Sequence, residues 1–526
     1  MAKPQGRLSR NYRIMWCDDS GAGAASCNPP ITPEKLLQLS FGGLEGSPVD
    51  ALLYSIGGHD VYDYETKIGL TGAEAYVNAE NRNSANRGAN LAYLMRNHGG
   101  PLTVLTEQCH RLGIDFMPSL RMNENYSIPY DDPSYGKVRI EHPEWTIGRG
   151  KDLPENSTEW GVGRGLDYAV PEVRDYISSI LIETIERWDV DGLELDFFRH
   201  PTYFNVQEAY SNRYLMTDLV RRIRRRMDEI GVQRGKGLDL MVRVPATVER
   251  CEGLGLDILK WIDEGLVDIV VVGGGFIPFE MPMEQFVEAA RGTDTLVYGY
   301  LEGYRPAVDE LTLRAIASRY WSAGIDGLYL FNFYSMPRDW KRDVLGRLTD
   351  REGLKRLMKR YETDPRDRFS PTGHLHLTFL NAIPRTQLPV TLRETSNGEG
   401  LVVKMDITED FEQATGEGVL GTCTLSLLFD NLSSDDDVRI KLNGTDLGTV
   451  SRSTDGWTRE FYQDSWNVYP SGTLTEHMPG ASLDVDVTAP PLTSGINEIE
   501  VELVSSDSSR EKDLVLQQIR LWVRYE

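Results

Sequence analysis

From Tyr12 to Phe331, short apolar runs bounded by turn residues alternate with longer amphipathic stretches. Such runs predict β-strands, whereas apolar residues spaced three and four apart predict helices. Because strands alternating with helices build parallel sheets, eight of them predict a closed (β/α)8 barrel. The predicted strands are Tyr12–Cys17, Ala51–Ser55, Asp115–Leu120, Gly192–Phe197, Asp239–Val244, Val267–Val272, Thr295–Tyr300 and Gly327–Phe331.

Amphipathic helices are predicted between most of these strands. Pro171 precedes one of them, as is common at helix starts, and glycines follow several others. The clearest predicted helices are Leu102–Leu112, Val173–Arg187, Leu256–Asp263, Met283–Ala290 and Glu310–Ala323.

The pattern changes after about Arg351, so we place the barrel at residues 1–355. A segment rich in Asp, Pro and Arg predicts a linker at 356–373. Short alternating runs over 374–526, with an Asn443-Gly444 turn typical of a hairpin, predict an antiparallel β-sandwich of jelly-roll-like type. Its predicted strands are His374–Phe379, Leu388–Leu392, Leu401–Ile407, Thr422–Phe429, Val438–Leu442, Ile496–Val504 and Leu514–Val523.

Length, composition and net charge restrict the classes of function that we expect for this chain. A chain of 526 residues suits two domains, and 40% hydrophobic residues suit a globular protein. A net charge of -24 predicts repulsion of nucleic acid and of anionic membranes. The first residues lack the apolar stretch of a signal peptide, and no run is long enough to span a membrane. We expect a soluble protein, cytoplasmic or secreted after loss of a leader, and the oligomeric state stays open.

The sequence predicts neither a metal nor a cofactor. The five cysteines are widely spaced and form no Cys-x-x-Cys pair, which disfavours a zinc site and a disulfide framework. His374 and His376 share a strand face but have no evident third ligand. Gly273-Gly-Gly275 follows predicted strand six without the Lys-Ser/Thr of a phosphate loop.

Strand four carries the strongest chemical signal. In its sequence, Val190-Asp-Gly-Leu-Glu-Leu-Asp-Phe-Phe-Arg-His-Pro201, alternation places Glu194 and Asp196 on one face. Buried carboxylates are costly unless they are paired or functional, and their mutual repulsion raises the proton affinity of one of them. Active sites of such barrels lie at the C-terminal strand ends, so these two acids are candidate catalytic residues.

The segment Asp191-Gly-Leu-Glu-Leu-Asp-Phe-Phe-Arg-His-Pro201 resembles the strand-four motif of glycoside-hydrolase-like proteins often labelled family-10-like. The resemblance extends over about Asn11–Leu348 and implies a carbohydrate-acting barrel with a sandwich domain downstream. The Asn-Glu pair of true family-10 xylanases is absent. Phe198 stands where chitinase-like barrels carry a catalytic Glu, so neither of those activities is inherited.

Glycoside hydrolysis needs two carboxyl groups, and Asp196 is the first candidate. Glu302, at the end of Leu296-Val-Tyr-Gly-Tyr-Leu-Glu302, is the second, because barrel glycosidases commonly use strands four and seven. The alternative for Glu302 is a loop carboxylate paired with Arg305 or left in solvent. For Glu194 it is a buried ion pair with Arg243, and Asp19 or Glu124 could replace Glu302 as the second acid.

Polar residues at other strand ends, and aromatic residues in the long segment 126–166, are candidates for binding substrate. Aromatic faces stack on sugar rings, and guanidinium groups of Arg121, Arg199 and Arg243 could bind an anionic sugar. Trp145 could instead anchor its own loop. The predicted substrate-binding residues are Asp19, His59, Arg121, Asn123, Trp145, Trp160, Arg199, His200, Arg243, Tyr300, Asn332 and Tyr334.

The leading hypothesis is therefore a glycoside hydrolase that cleaves a poly- or oligosaccharide by carboxylate acid/base catalysis. One alternative is a carbohydrate-binding protein whose barrel is inactive. Another is a polysaccharide lyase, for which His200, Tyr334 and Arg199 would supply a base and its partner. The predicted partner is in each case a carbohydrate.

Overall fold

The computed structural model describes most of the 526 residues of the chain. His59, Trp160, Tyr334 and the strand predicted at His374–Phe379 lie outside the described residues. The described ranges are 10–19, 27–42, 44–58, 60–124, 136–151, 162–273, 277–303, 309–333, 338–364, 386–394, 398–463 and 472–526.

Eight parallel strands close into a barrel, in which each strand pairs with its neighbours along the chain and the last strand pairs with the first. The predicted (β/α)8 barrel is confirmed, and each of its eight predicted strands overlaps an observed one. The strands are β1 (Ile14–Asp18), β2 (Val49–Ser55), β3 (Asp115–Arg121), β4 (Gly192–Asp196), β5 (Asp239–Val244), β6 (Ile269–Val272), β7 (Leu296–Glu302) and β8 (Gly327–Phe331).

Alternate residues of these strands belong to two different cores. Leu193 and Leu195 of β4 join the large cluster that packs under the surrounding helices. Met241 of β5 and Tyr329 of β8 join a smaller cluster inside the barrel. Because the side-chain period of a strand is two, Glu194 and Asp196 share the inner face with the second group.

The helices pack their apolar sides on the outside of the barrel. Pro171 occupies the first turn of its helix, and Gly235 ends the longest helix in a left-handed conformation. All five predicted helices are present, and each end lies within two residues of its predicted position. The main helices are Pro33–Phe41, Arg82–His98, Pro101–Arg111, Pro171–Arg187, Ala209–Arg234, Val248–Gly253, Ile258–Asp263, Glu284–Ala290, Glu310–Ser322 and Arg338–Thr349. The short ones are Gly72–Ala75, Lys137–Glu141, Arg351–Leu354 and Phe411–Gly416.

The insertion after β2 forms a small three-stranded sheet of Gly57–Gly58, Val61–Tyr62 and Leu70–Thr71. Within the described ranges, residues from Lys359 onward form antiparallel sheets, two of which share one apolar core. One sheet orders Lys359–Glu362, Val515–Tyr525, Leu420–Asp430, Ala481–Val487 and Ser451–Ser453, with Val390–Thr391 beside Val515–Tyr525. The other orders Leu401–Ile407, Gly495–Ser505, Asp437–Leu442 and Thr445–Asp446, and Trp457–Gln463 pairs with Gly472–Met478.

The strand Lys359–Glu362 lies inside the segment predicted as a linker. It is buried and pairs antiparallel with Val515–Tyr525, so the C-terminal sheets begin before residue 374. A strand therefore stands at 359–362 where the sequence predicted a linker, because a charged edge strand resembles a loop when its partner lies about 160 residues away in sequence. Residues 365–373 lie outside the described part, and the domain limits and jelly-roll topology stay predictions.

Among the helices that the structure describes, none combines the length and apolarity needed to cross a membrane.

Candidate active site

Charged and polar side chains gather on the inner face of the barrel at its C-terminal end. Register places Arg121, Asp196 and Arg243 side by side on three neighbouring strands. Their side chains point inward because each lies an even number of residues from the interior positions of its strand. This upper layer is the region in which barrels of this architecture carry their active sites.

Asp196 and Arg243 form a buried ion pair. Arg243 Nε donates to Asp196 Oδ1 over 2.9 Å, and Arg243 Nη2 donates to Oδ2. Asp196 Oδ1 also accepts the backbone N–H groups of Phe198 and Arg199, each at 3.0 Å. The carboxylate thus neutralises the guanidinium and holds the turn that follows β4.

Four aromatic rings surround the Arg243 guanidinium. Its central carbon lies 4.3 Å from the Phe331 ring, 5.2 Å from Tyr300, 5.7 Å from Phe198 and 5.8 Å from Tyr329. Only 1% of the Arg243 side chain is exposed. The expectation that Arg243 recognises an anionic sugar does not fit this geometry, because the group is enclosed and paired within the protein.

Glu194 lies below this pair and is fully buried. The Tyr329 hydroxyl donates to Glu194 Oε2 over 3.1 Å. Burial raises the pKa of Glu194 to about 7; the charge of Asp196 adds to the increase and that of Arg243 opposes it. The predicted Glu194–Arg243 ion pair is wrong, since Asp196 is the direct partner of Arg243 across the strands.

Glu302 ends β7 and is 1% exposed. The Tyr300 hydroxyl donates to its Oε2 over 2.6 Å, and Asn332 Nδ2 donates to its Oε1 over 2.9 Å. Asn332 has a positive φ of 64°, which turns the chain at the end of β8 toward Glu302. The alternative of a solvent carboxylate is excluded, and Arg305 lies outside the described residues.

Arg121 bridges two further carboxylates on the side of the barrel that lies opposite Glu302. Its Nη2 donates to Asp19 and its Nη1 to Glu124. A Cβ on Gly58 would lie 2.2 Å from the Glu124 carboxyl carbon, so the backbone after β2 runs directly against this carboxylate. Arg121 is therefore also paired within the protein, and the triad Asp19–Arg121–Glu124 faces the barrel mouth from β1 and β3.

Asn123 has a structural role in place of the predicted contact with substrate. Its Nδ2 donates to the carbonyl oxygens of Leu166 and Thr202, over 3.0 and 2.7 Å. Its Oδ1 accepts from the N–H groups of Leu166 and Glu124 and from Arg139. Asn123 thus fastens the loops after β3 and β4. Because both N–H groups of its side-chain amide are used, it has no N–H group left for a ligand.

Three other residues that were predicted to bind substrate differ in their solvent exposure. His200 is fully buried with a positive φ of 51°, and neighbouring Arg199 is partly exposed. Trp145 is partly buried and stacks on His142, with ring centroids 4.0 Å apart and an angle of 9° between the planes. One face of the indole is thus covered by its own loop, which fits the anchoring alternative.

Sequence reasoning missed the aromatic enclosure of Arg243 and the hydrogen bond between Tyr329 and Glu194. The signal was present, since Tyr300, Tyr329 and Phe331 occupy inner positions of β7 and β8. Within the described ranges, no group of three or more His, Cys, Asp or Glu residues is arranged to hold a metal ion.

No family model matches this sequence, and a comparison with curated proteins finds no match. Three solved structures that resemble it are described as glycoside hydrolases. α-L-Fucosidase isoenzyme 2 from Paenibacillus thiaminolyticus is 12% identical, with a TM-score of 0.40 over 65% of this chain and 49% of that chain. This chain thus matches about half of the fucosidase's length. The PgaB glycoside hydrolase domain from Bordetella bronchiseptica is 14% identical, with a TM-score of 0.42 over 65% of this chain and 99% of that chain.

The GH36 α-galactosidase AgaA from Geobacillus stearothermophilus is 12% identical, with a TM-score of 0.39 over 94% of this chain and 56% of that chain. At such identities and scores, none of these structures bears on the activity of this chain. The likeness to family-10-like proteins stays a prediction, because no family model matches.

Proposed function

We propose that the barrel hydrolyses glycosidic bonds and that Glu302 is one of its two catalytic carboxylates. The observation that supports this most directly is the setting of Glu302 at the end of β7. Two neutral donors, Tyr300 and Asn332, hold its carboxylate in a fixed orientation. A carboxylate held in a fixed orientation at the C-terminal end of a barrel strand suits a nucleophile or a base that activates water.

The Asp19–Arg121–Glu124 triad supplies the second carboxyl group in this proposal. Glycoside hydrolysis needs a second carboxyl group on the other side of the scissile bond, and the two acids of the triad lie across the barrel from Glu302. We favour Glu124 as the proton donor, since it lies three residues beyond the end of β3, against the loop that follows β2.

Asp196 becomes a positioning residue in this proposal, although the sequence made it the first catalytic candidate. Both of its oxygens accept hydrogen bonds from Arg243, and one also accepts two backbone N–H groups. Arg243 lies beneath the Tyr300 ring, and Tyr300 in turn donates to Glu302. Loss of the Asp196 charge would therefore affect Glu302 indirectly, through Arg243 and Tyr300.

The test is release of reducing ends from a panel of neutral and anionic glycans by wild type, Glu302→Gln and Glu124→Gln. Removal of a general acid or base typically costs 10²–10⁴-fold in rate, so we expect losses of about that size in kcat. Asp50→Asn is the matched control, because it makes the same change at the opposite end of the barrel, where Asp50 pairs with Arg13. It should keep kcat within about twofold of wild type.

Two results would contradict the proposal: no cleavage of any glycan by wild type, or full activity of Glu302→Gln. Ultraviolet absorbance of the products distinguishes a lyase from a hydrolase, because elimination leaves an unsaturated sugar. Binding without turnover would favour the inactive-barrel alternative.

A further inference from the structure

The turn Asn443-Gly444 joins the strands Asp437–Leu442 and Thr445–Asp446, and both of its residues are exposed. Asn-Gly pairs are chemically labile, because glycine has no side chain to keep its backbone nitrogen away from the side-chain carbon of the preceding asparagine. The sequence holds two such pairs, and the other is Asn397-Gly398, whose asparagine lies outside the described residues. Asn443 is therefore a candidate for spontaneous deamidation.

This reaction needs only water. The backbone nitrogen of Gly444 attacks Cγ of Asn443, so that an N–Cγ bond forms and a cyclic imide closes. The Cγ–Nδ2 bond breaks, and Nδ2 leaves as ammonia with the proton that the Gly444 nitrogen gives up. Water then opens the imide at either carbonyl and yields aspartate or isoaspartate, in which the chain continues through the side chain.

In the folded protein the Asn443 amide is turned toward the neighbouring strand Gly495–Ser505 and the residues before it. Its Nδ2 donates to the Pro491 carbonyl over 2.8 Å and to Asn497 Oδ1 over 2.9 Å. Its Oδ1 accepts the backbone N–H of Glu498 over 2.9 Å. Ring closure makes Cγ tetrahedral and then detaches Nδ2, so these hydrogen bonds are lost on the reaction path.

The partner Asn497 is itself fixed and is 1% exposed. Its Nδ2 donates to the carbonyl oxygens of Thr493 and Gly495, over 2.7 and 3.0 Å, and its Oδ1 accepts the Thr493 N–H over 3.0 Å. Because both N–H groups of Asn497 are used, its oxygen faces Asn443, which has to donate. An aspartate at position 443 has no N–H to donate, and its charge faces the oxygens of Pro491 and Asn497.

We propose that Asn443 is a deamidation site that the fold protects: it converts while the turn is open, and conversion weakens the hairpin. The strand Thr445–Asp446 has two residues and lies at the edge of its sheet, so opening of the turn costs less free energy than global unfolding. The product places a carboxylate against two oxygens and cannot re-form the two donated hydrogen bonds, so the change accumulates. This inference is independent of the proposed hydrolysis.

Incubation of wild type in mildly alkaline buffer, folded and in urea, tests the protection, and peptide mapping by mass spectrometry follows both Asn-Gly pairs. We expect Asn443 to deamidate at least about tenfold more slowly in the folded protein than in urea, because several hydrogen bonds must break together. In urea the two pairs should convert at rates within about threefold of each other, since the unfolded chain protects neither of them.

Asn443→Asp introduces one product of deamidation directly. We expect it to raise the unfolding equilibrium constant about tenfold, because repulsion replaces two donated hydrogen bonds. Asn205→Asp is the matched control: Asn205 is also exposed, and its Oδ1 accepts the Gln207 N–H, as an aspartate oxygen also does. The control should leave the constant within about twofold of wild type, and urea unfolding measures both variants.

Three results would overturn the inference. Equal rates of Asn443 conversion in the folded protein and in urea would exclude protection by the fold. Absence of conversion in urea would exclude the site, and equal urea midpoints for Asn443→Asp and Asn205→Asp would exclude the weakening of the hairpin. Slow conversion of folded wild type, together with a lower midpoint for Asn443→Asp alone, would support it.

Discussion

Glu194 is a buried acid in the middle of a barrel, and its ionisation state depends on its surroundings. Burial raises its pKa from 4.5 to about 7, so its protonated form persists to a higher pH than that of an exposed glutamate. Its Oε2 oxygen accepts from Tyr329, whose ring lies against Arg243. An ionised Glu194 therefore adds a negative charge next to the Asp196–Arg243 ion pair.

This shift predicts a pH-dependent stability. Because the folded-state pKa lies above 4.5, the stabilisation is complete below pH 4.5 and is lost as the pH rises through about 7. The loss for this one group is about 3 kcal/mol. Glu194→Gln cannot ionise, so the free energy of unfolding of the variant should fall less than that of wild type between pH 4.5 and 8. Urea unfolding at several pH values measures the difference, and parallel curves for the two proteins would contradict it.

The hairpin Asp437–Leu442 to Thr445–Asp446 shows a local sequence signal that decides an element. Asn443 and Gly444 have φ values of 50° and 79°, as a type I′ turn requires. Leu442 pairs directly with Thr445, so the turn predicted at Asn443-Gly444 is confirmed. Asn443 Nδ2 also donates to Asn497 Oδ1, which ties the turn to the adjacent strand.

Gly444→Ala should lower the free energy of unfolding by about 1–2 kcal/mol, the cost of a left-handed conformation for a residue with a Cβ. A Cβ at Gly444 meets no atom within 4 Å, so backbone strain is the only change. Gly416→Ala is the control, because Gly416 is helical and equally unobstructed. It should be neutral or stabilising by up to about 1 kcal/mol. Urea unfolding of both variants checks this, and equal effects would contradict it.

At the scale of the whole molecule, the barrel and the C-terminal sheets share buried contacts. Arg360, on the strand Lys359–Glu362, pairs with Glu362 at 2.6 Å and with Asp309 of the barrel at 2.8 Å. Asp364 accepts the backbone N–H groups of Phe279 and Glu280 over 2.8 and 2.7 Å. Ala315, from the helix that follows β7, belongs to the core of the C-terminal sheets. The two halves are therefore held together by charge pairing and by a shared core.

Arg360→Met should destabilise the protein by about 3 kcal/mol, because it leaves Asp309 without its cation and Glu362 with Arg520 alone. Since Arg360 joins the two halves, we also expect the thermal transition of the variant to broaden or divide. Lys404→Met is the control: Lys404 is 58% exposed and pairs with Glu498 at 3.2 Å, so its loss should cost at most about 1 kcal/mol. Differential scanning calorimetry measures both, and equal shifts would contradict the prediction.

The sequence by itself determined the elements. Period-two alternation gave the inner face of β4, and the apolar runs located all eight barrel strands, because these signals depend on near neighbours along the chain. It also located Glu302 at a strand end. The short edge strand Lys359–Glu362 was missed, since its partner lies far away in sequence and its residues are mostly charged.

Only the tertiary structure decided which side chains pair with one another. Two acids on β4 share one face, and the register of β4 against β5 places Asp196, and not Glu194, opposite Arg243. That register depends on how eight strands close into a barrel, which no local pattern contains. The same closure places Asn332 on Glu302 and Asp19 on Arg121. Residue types and strand faces are local properties of the chain, whereas pairing across the barrel is a property of the closed fold.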